Sequence, residues 1–253
     1  MPKIDRTGEI NYNKYGSKMI IIKYRNANDI DVLFEEYGYI VEHTIFHNFK
    51  IGNIRCPYEL SVYGVGYLGE GNYKTSENKK HTRSYNVWID MIRRCYNPKC
   101  YEKYPTYKEC FVCDEWHNYQ NFAKWYEENY YEINNQRMHL DKDILHKGNK
   151  LYSKENCIFV PENINNLFVK CNSTRGDLPI GVTYDKRNEK YSARYDVNGK
   201  KIYLGLYNTP QEAFQAYKKF KENYIKQVAD EYKEYIPQKL YEAMYNYEVE
   251  IGD

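Results

Sequence analysis

Leu140-Asp141-Lys142-Asp143-Ile144, then Ser153-Lys154-Glu155-Asn156-Cys157-Ile158-Phe159-Val160-Pro161, and then Asn165 form the stretch on which the reading of this chain turns. Between the two runs, Lys147-Gly148-Asn149 carries turn chemistry, because Gly and Asn tolerate the left-handed backbone a reversal needs. Pro161 sits where a helix can start, since its fixed φ suits a first helical turn and its missing N–H is not needed there. The order is therefore strand, turn, strand, helix. Asn156 and Asn165 lie nine residues apart, one ahead of the second strand and one on the helix.

Upstream, Trp88, Met91, Ile92 and Cys95 recur at helical spacing, as do Tyr119, Phe122, Ala123 and Tyr126, which predicts two amphipathic helices. Before them lies a polar basic linker, Lys74 to Ser84. Met19 to Tyr24, Ile30 to Phe34 and Tyr39 to Phe46 are short β-rich runs broken by Asn26-Ala27-Asn28 and Tyr37-Gly38, so residues 1–72 read as a small antiparallel barrel or sheet.

Downstream of a linker at Cys171 to Pro179, Ile180 to Tyr184, Lys190 to Tyr195 and Lys201 to Thr209 read as three strands, with Asn198-Gly199 as a hairpin turn. Thr209-Pro210-Gln211-Glu212 is a capping box with Pro in the first helical position. The helix it starts carries an apolar stripe, Ala213, Ala216, Tyr217, Phe220 and Tyr224, which packs it on the sheet. On the second strand, alternation puts Ser192 and Arg194 on one face and Tyr191, Ala193 and Tyr195 on the other.

The net charge of +2 is an average over unlike parts. Ala229 to Asp253 holds seven acidic residues against Lys233 and Lys239, a net of −5, leaving +7 on residues 1–228. Clusters at Lys79-Lys80-His81-Arg83, Arg93-Arg94, Lys186-Arg187 and Lys218-Lys219-Lys221 suit phosphate contacts. No run is long enough to cross a membrane and Met1 to Asn13 is polar, so the expectation is a cytoplasmic protein of a bacterial or phage-infected cell with no membrane partner. Seven cysteines in such a chain read as thiols or metal ligands rather than disulfides. Cys110-x-x-Cys113, with Cys95 and Cys100 upstream, could hold a structural Zn²⁺, or the thiols could simply be buried. The 31 tyrosines reflect compositional bias and decide nothing alone.

The hairpin and its asparagine pair, together with Trp88-x-x-Met91-x-x-Arg94-Cys95-Tyr96-Asn97-Pro98, Tyr107-x-x-Cys110-x-Val112-Cys113-Asp114-Glu115-Trp116 and Phe122, resemble the HNH nucleases of phages and bacteria from roughly Ser84 to Lys170. That resemblance implies a ββα-metal core in which Asp141 and Asn165 hold the metal, the residue after Asp141 is the general base and Asn156 orients it. The base is His in the family; here it is Lys142. Many HNH-like proteins read Leu-Asp-Arg-Ile-Asp on this strand. Oxygen ligands imply Mg²⁺ or Mn²⁺. Lysine, with a reference pKa of about 10.4, suits holding a phosphate better than taking a proton. His139, two residues before Asp141, falls on the same strand face and is the candidate base, unless it is an ordinary strand residue.

The third module, above all Leu204-Gly205-Leu206-Tyr207-Asn208-Thr209-x-x-Glu212-Ala213, is similar to the Apetala-two/ethylene-response-factor DNA-binding domain, whose three-stranded sheet enters the major groove. The resemblance implies Lys186, Arg187, Lys190, Arg194 and Tyr203 as DNA-binding residues, with Arg194 the candidate for a base edge.

The expected fold is α+β: a small β module at 1–72, an HNH-like domain at 84–170, a three-stranded antiparallel sheet plus helix at 178–228, and a helical acidic tail at 229–253. The expected function is a metal-dependent endonuclease or nickase of phage or mobile-element type, acting on double-stranded DNA. Three rivals stand beside it: a catalytically degenerate DNA-binding regulator, suggested by Lys142; a host-interaction protein whose partner is another protein; and an RNA binder that stacks bases on tyrosine.

Overall fold

The computed structural model describes residues 4–133, 136–169, 177–197 and 199–251. It is a mixed α+β chain of two compact units, Met1–Asn129 with Lys150–Ser153, and Tyr130–Asn149 with Lys154–Asp253. The division runs through residues 84–170: the two helices read around Trp88 and Phe122 belong to the first unit, and the hairpin strands at Asp141 and Ile158 with the helix after them to the second. Among the described residues no helix is long and apolar enough to cross a membrane.

In the first unit, β1 (Ile10–Tyr12), β2 (Lys18–Asn26), β3 (Asp29–Phe34) and β4 (Tyr39–Thr44) form an antiparallel sheet in sequence order. Alternation decides which face is covered: Met19 and Ile21 of β2 and Ile30, Val32 and Phe34 of β3 are fully buried, with Phe49 of α1 (Phe46–Lys50) over them. The expected linker at 74–84 is a hairpin, β5 (Ser76–Glu77) against β6 (Lys80–His81). Asn78 and Lys79 turn it with φ of 49° and 63°, which Asn accepts more readily than most residues.

Thr82 then caps α2 (Arg83–Tyr96) by accepting the Tyr85 N–H. The two helices read from the sequence are α2 and α4 (Tyr119–Asn129), and the predicted apolar residues are their buried faces. Between them lie α3 (Pro98–Lys103) and β7 (Phe111–Val112). The Gly-rich stretch at 63–69 fits against α2, where a Cβ on Gly66 would stand 3.0 Å from the Trp88 ring. In the second unit β8 (Met138–Asp141) begins the hairpin, and β9 (Leu151–Tyr152), assigned to the first unit, pairs in parallel with β7.

The second unit closes the hairpin by pairing β8 antiparallel with β10 (Ile158–Pro161), Asp141 opposite Ile158 and Val160 opposite His139. Pro161 ends β10 and stands at the N-cap of α5 (Glu162–Asn165), one position earlier than a first-turn proline. The antiparallel sheet of β11 (Val182–Asp185), β12 (Lys190–Val197) and β13 (Lys200–Tyr207) follows. Of the expected turn, Gly199 has φ 80°, while Asn198 lies outside the described residues, as does most of the 171–179 linker.

The capping box forms as read, and α6 (Pro210–Tyr232) runs 23 residues, past the expected boundary at 228. Its first turns bury Ala213, Phe214 and Tyr217 against Val182, Ala193 and Tyr195 of the sheet. Its last turns bury Ile225, Val228 and Ala229 in a second core with Ile133, Ile144, Ile158, Val160 and Ile164 of the hairpin region. Leu240 and Met244 of α7 (Gln238–Tyr245) complete that core. The buried stripe thus changes residues along the helix, because each half answers to a different neighbour. The acidic segment folds back: Val249 is buried in the sheet core, and Lys218 Nζ donates to its carbonyl at 2.9 Å.

Candidate metal centre and nucleic-acid interface

Asp141 closes β8 and its carboxylate organises the turn that follows. Oδ1 accepts the backbone N–H groups of Asp143 and Ile144 at 2.9 and 2.7 Å, which leaves Oδ2 outside this turn. Burial, then the neighbouring Asp143 charge, pushes the Asp141 carboxyl up to about 6, against the pull of those two N–H groups and of Lys142. A carboxylate so poorly solvated is one that a cation would stabilise.

Lys142 is buried, and its ammonium points into the loop. Nζ donates to the Asn149 carbonyl at 3.1 Å and to Asp143 Oδ2 at 3.3 Å, while Asn149 Nδ2 returns to the Lys142 carbonyl at 2.7 Å. Asn156 joins by donating Nδ2 to Asn149 Oδ1 at 3.3 Å. The first asparagine of the pair therefore reaches the residue after Asp141 through Asn149. Asn149 was read from sequence only as a turn residue; its role depends on the loop path, and only its place seven residues after Lys142 hinted at it.

His139 pairs with Val160 in unbroken register with Asp141 opposite Ile158, so alternation puts His139 and Asp141 on one face, as expected. Its Nε2 lies 3.9 Å from Glu162 Oε1 on the first turn of α5. Asn165 is the last residue of that helix and is half-buried. The helix packs on both β8 and β10.

On the three-stranded sheet, Ala193 and Tyr195 face α6 and Arg194 faces solvent, as the alternation required. Arg194 Nε donates to Ser192 Oγ at 3.2 Å, so the two lie on one side of the strand, Arg194 exposed and Ser192 buried beneath it. Tyr203, 60 % exposed, stands directly opposite Arg194, and Lys190 is exposed at the start of the same strand. A bulge shifts the register after Ala193 and is relieved at Gly205, whose φ of 136° disfavours a side chain. Lys186 and Arg187 occupy the β11–β12 turn, held by Asp185 Oδ1, which accepts the Arg187 N–H at 2.9 Å. Tyr191 packs toward the helix side.

Cys95 and Cys110 are buried and Cys100 and Cys113 partly so, and none of the four is in a disulfide. Among the described residues, only Asp29, Asp31 and His43 form a group of three or more His, Cys, Asp or Glu close enough to share an ion. Arg25 already occupies it, at 2.9 Å from Asp29 and 2.6 Å from Asp31. His43 Nδ1 lies 2.9 Å from Asp29 Oδ1. This network was not read from sequence, although the Asp-x-Asp alternation of β3 was its signal. Comparison of the chain with protein-family models, with curated proteins and with solved structures gives no match in any of the three.

Proposed function

We propose that this chain is a metal-dependent endonuclease or nickase acting on double-stranded DNA at a position selected by its three-stranded sheet. One observation carries the reading: a β-β-α arrangement that ends its first strand on a poorly solvated carboxylate, Asp141, and carries Asn165 at the end of the helix that packs on that strand. The open, basic sheet face in the same unit supports the choice of DNA.

Asp141, through Oδ2, and Asn165 would hold Mg²⁺ or Mn²⁺, hard ions that suit an oxygen donor set. Bound there, the ion supplies Lewis-acid stabilisation of the phosphate and the leaving oxygen. His139 takes the proton of the attacking water, and the Glu162 carboxylate at 3.9 Å favours the imidazolium that results. Asn156 and Asn149 fix the Lys142 carbonyl, which holds the loop behind Asp141 in one shape. Lys142, its ammonium turned inward, offsets negative charge beside Asp141 more than it reaches a phosphate.

That inward turn also favours a second reading, a DNA-binding regulator on a nuclease scaffold, because the position of the family's base holds a side chain spent on structure. Plasmid nicking with Mg²⁺ and with EDTA decides between them. Nicking that needs Mg²⁺ and is lost in Asp141→Ala and Asn165→Ala, with DNA affinity kept, supports the enzyme; binding without nicking supports the regulator.

A further inference from the structure

Far along the sequence from these residues, the first unit contains a cavity of about 440 Å³ lined by Tyr15, Tyr39, Arg55 and Glu59. Glu59 is 3 % exposed. Its Oε1 accepts from Asn13 Nδ2, but its Oε2 is buried with no hydrogen-bond partner. Leaving a carboxylate oxygen dry and unbonded costs on the order of 1–3 kcal/mol or more, so natural proteins rarely do it without a use.

Asn13 cannot serve both oxygens. Its Nδ2 also donates to the Ile54 carbonyl at 3.1 Å, and its Oδ1 accepts the Tyr15 and Ser17 N–H groups at 3.0 and 2.9 Å. The side chain is locked by four contacts. Glu59 Oε2 is thus an acceptor without a partner, set beneath the surface of a residue that lines the cavity, and a ligand N–H or O–H reaches it once the atoms covering it shift.

The other walls narrow what brings that donor. Arg55 lies over the Tyr15 ring with its guanidinium carbon 5.5 Å from the centroid, and among the described residues it makes no ion pair. A free cation at Glu59 would meet this like charge. The second carboxylate of the cavity, Glu70, already accepts the Tyr58 O–H at 2.6 Å. What satisfies a buried acceptor, tyrosine rings and an unpaired guanidinium together is a planar heterocycle with an N–H donor joined to an anion. We infer that this cavity binds a nucleotide: a base N–H on Glu59 Oε2, the ring against tyrosine, and the phosphate on Arg55. The volume suits one nucleotide. The inference does not depend on the endonuclease reading.

The test is calorimetry on the full chain with the four ribonucleoside 5′-monophosphates, the corresponding nucleosides, inorganic phosphate and a single-stranded tetranucleotide. At least one monophosphate should bind saturably, and roughly tenfold tighter than its nucleoside, the scale of one charge-assisted contact. Arg55→Ala should reduce it to nucleoside level. Glu59→Gln, which keeps an oxygen for Asn13 but no longer offers the free carboxylate oxygen, should weaken monophosphate and nucleoside alike by roughly tenfold. Tighter binding of the tetranucleotide would identify a strand as the source, and equal binding a free nucleotide. Should Glu59→Gln not fold, NMR contacts between the base and the Tyr15 or Tyr39 ring in the wild type take its place. No saturable binding at millimolar concentration, phosphate binding as well as any monophosphate, or a folded Glu59→Gln with unchanged affinity would overturn the site.

Discussion

Replacing Leu240 by Ala removes a fully buried side chain from the core that α7 shares with α6 and the hairpin. Truncating such a leucine costs about 2–5 kcal/mol, and with helices and a strand pair fixed around it the cavity should collapse little, so about 3 kcal/mol is expected. That is a large part of the roughly 5–15 kcal/mol that holds a domain together, yet not all of it. Denaturant unfolding of the full chain should show a lower midpoint for the second unit. The more telling measurement is hydrogen exchange at the Asp143 and Ile144 amides, which donate to Asp141 Oδ1. If they open only when the whole core opens, about 3 kcal/mol accelerates their exchange by a factor on the order of a hundred. A destabilised protein in which these two amides exchange at the wild-type rate would refute the idea that the tail and the turn behind Asp141 stand on one core.

His139→Ala should abolish the rise in nicking rate through the range where histidine titrates, around 6.5, and Lys142→His should leave the rate within a few-fold of wild type, because the position faces the loop; a large gain in Lys142→His would make His139 a bystander. Arg194→Ala should flatten sequence preference, whereas Lys190→Ala should weaken all duplexes alike and lower the salt slope of binding by about one. The Arg25 guanidinium holds the Asp31 carboxyl down at about 2, below its ordinary 3.8. The stability this pair gives is present in full above pH 3.8 and is lost as pH falls toward 2. Acid titration of Asp31→Asn should therefore show a shallower loss of stability than wild type across that window.

What could be read from sequence was what local chemistry decides. The capping box, the alternation of β12 and the helical spacing of Trp88, Met91, Ile92 and Cys95 each depend on residues a few places apart, and each stands where it was read. Lys142 was harder: nothing near it says whether an ammonium faces solvent or a carbonyl seven residues on, and the loop path decides. The segment at 74–84 looked like a linker because its charges hide the Asn78-Lys79 turn. For the tail, the spacing of Leu240 and Met244 gives a helix with one apolar side but cannot name the surface that side meets. The Asp29, Asp31 and His43 network escaped for the same reason, since His43 reaches it from another strand.

The shared core has a consequence for how the protein is made. Ile144 and Leu240 are 96 residues apart in sequence yet pack in one cluster. At about 5–20 residues per second, a ribosome needs on the order of 5–20 s to synthesise the stretch between them. Until then Ile158 and Val160, fully apolar and destined for burial, lack the α7 side of their core, and contacts so distant in sequence form slowly even after release. Asp141 is held by the turn that this core supports, so a nascent or prematurely terminated chain would carry the residues of the centre without its geometry. Completion of α7 is in this sense a timer, and whatever chemistry the hairpin performs waits for it.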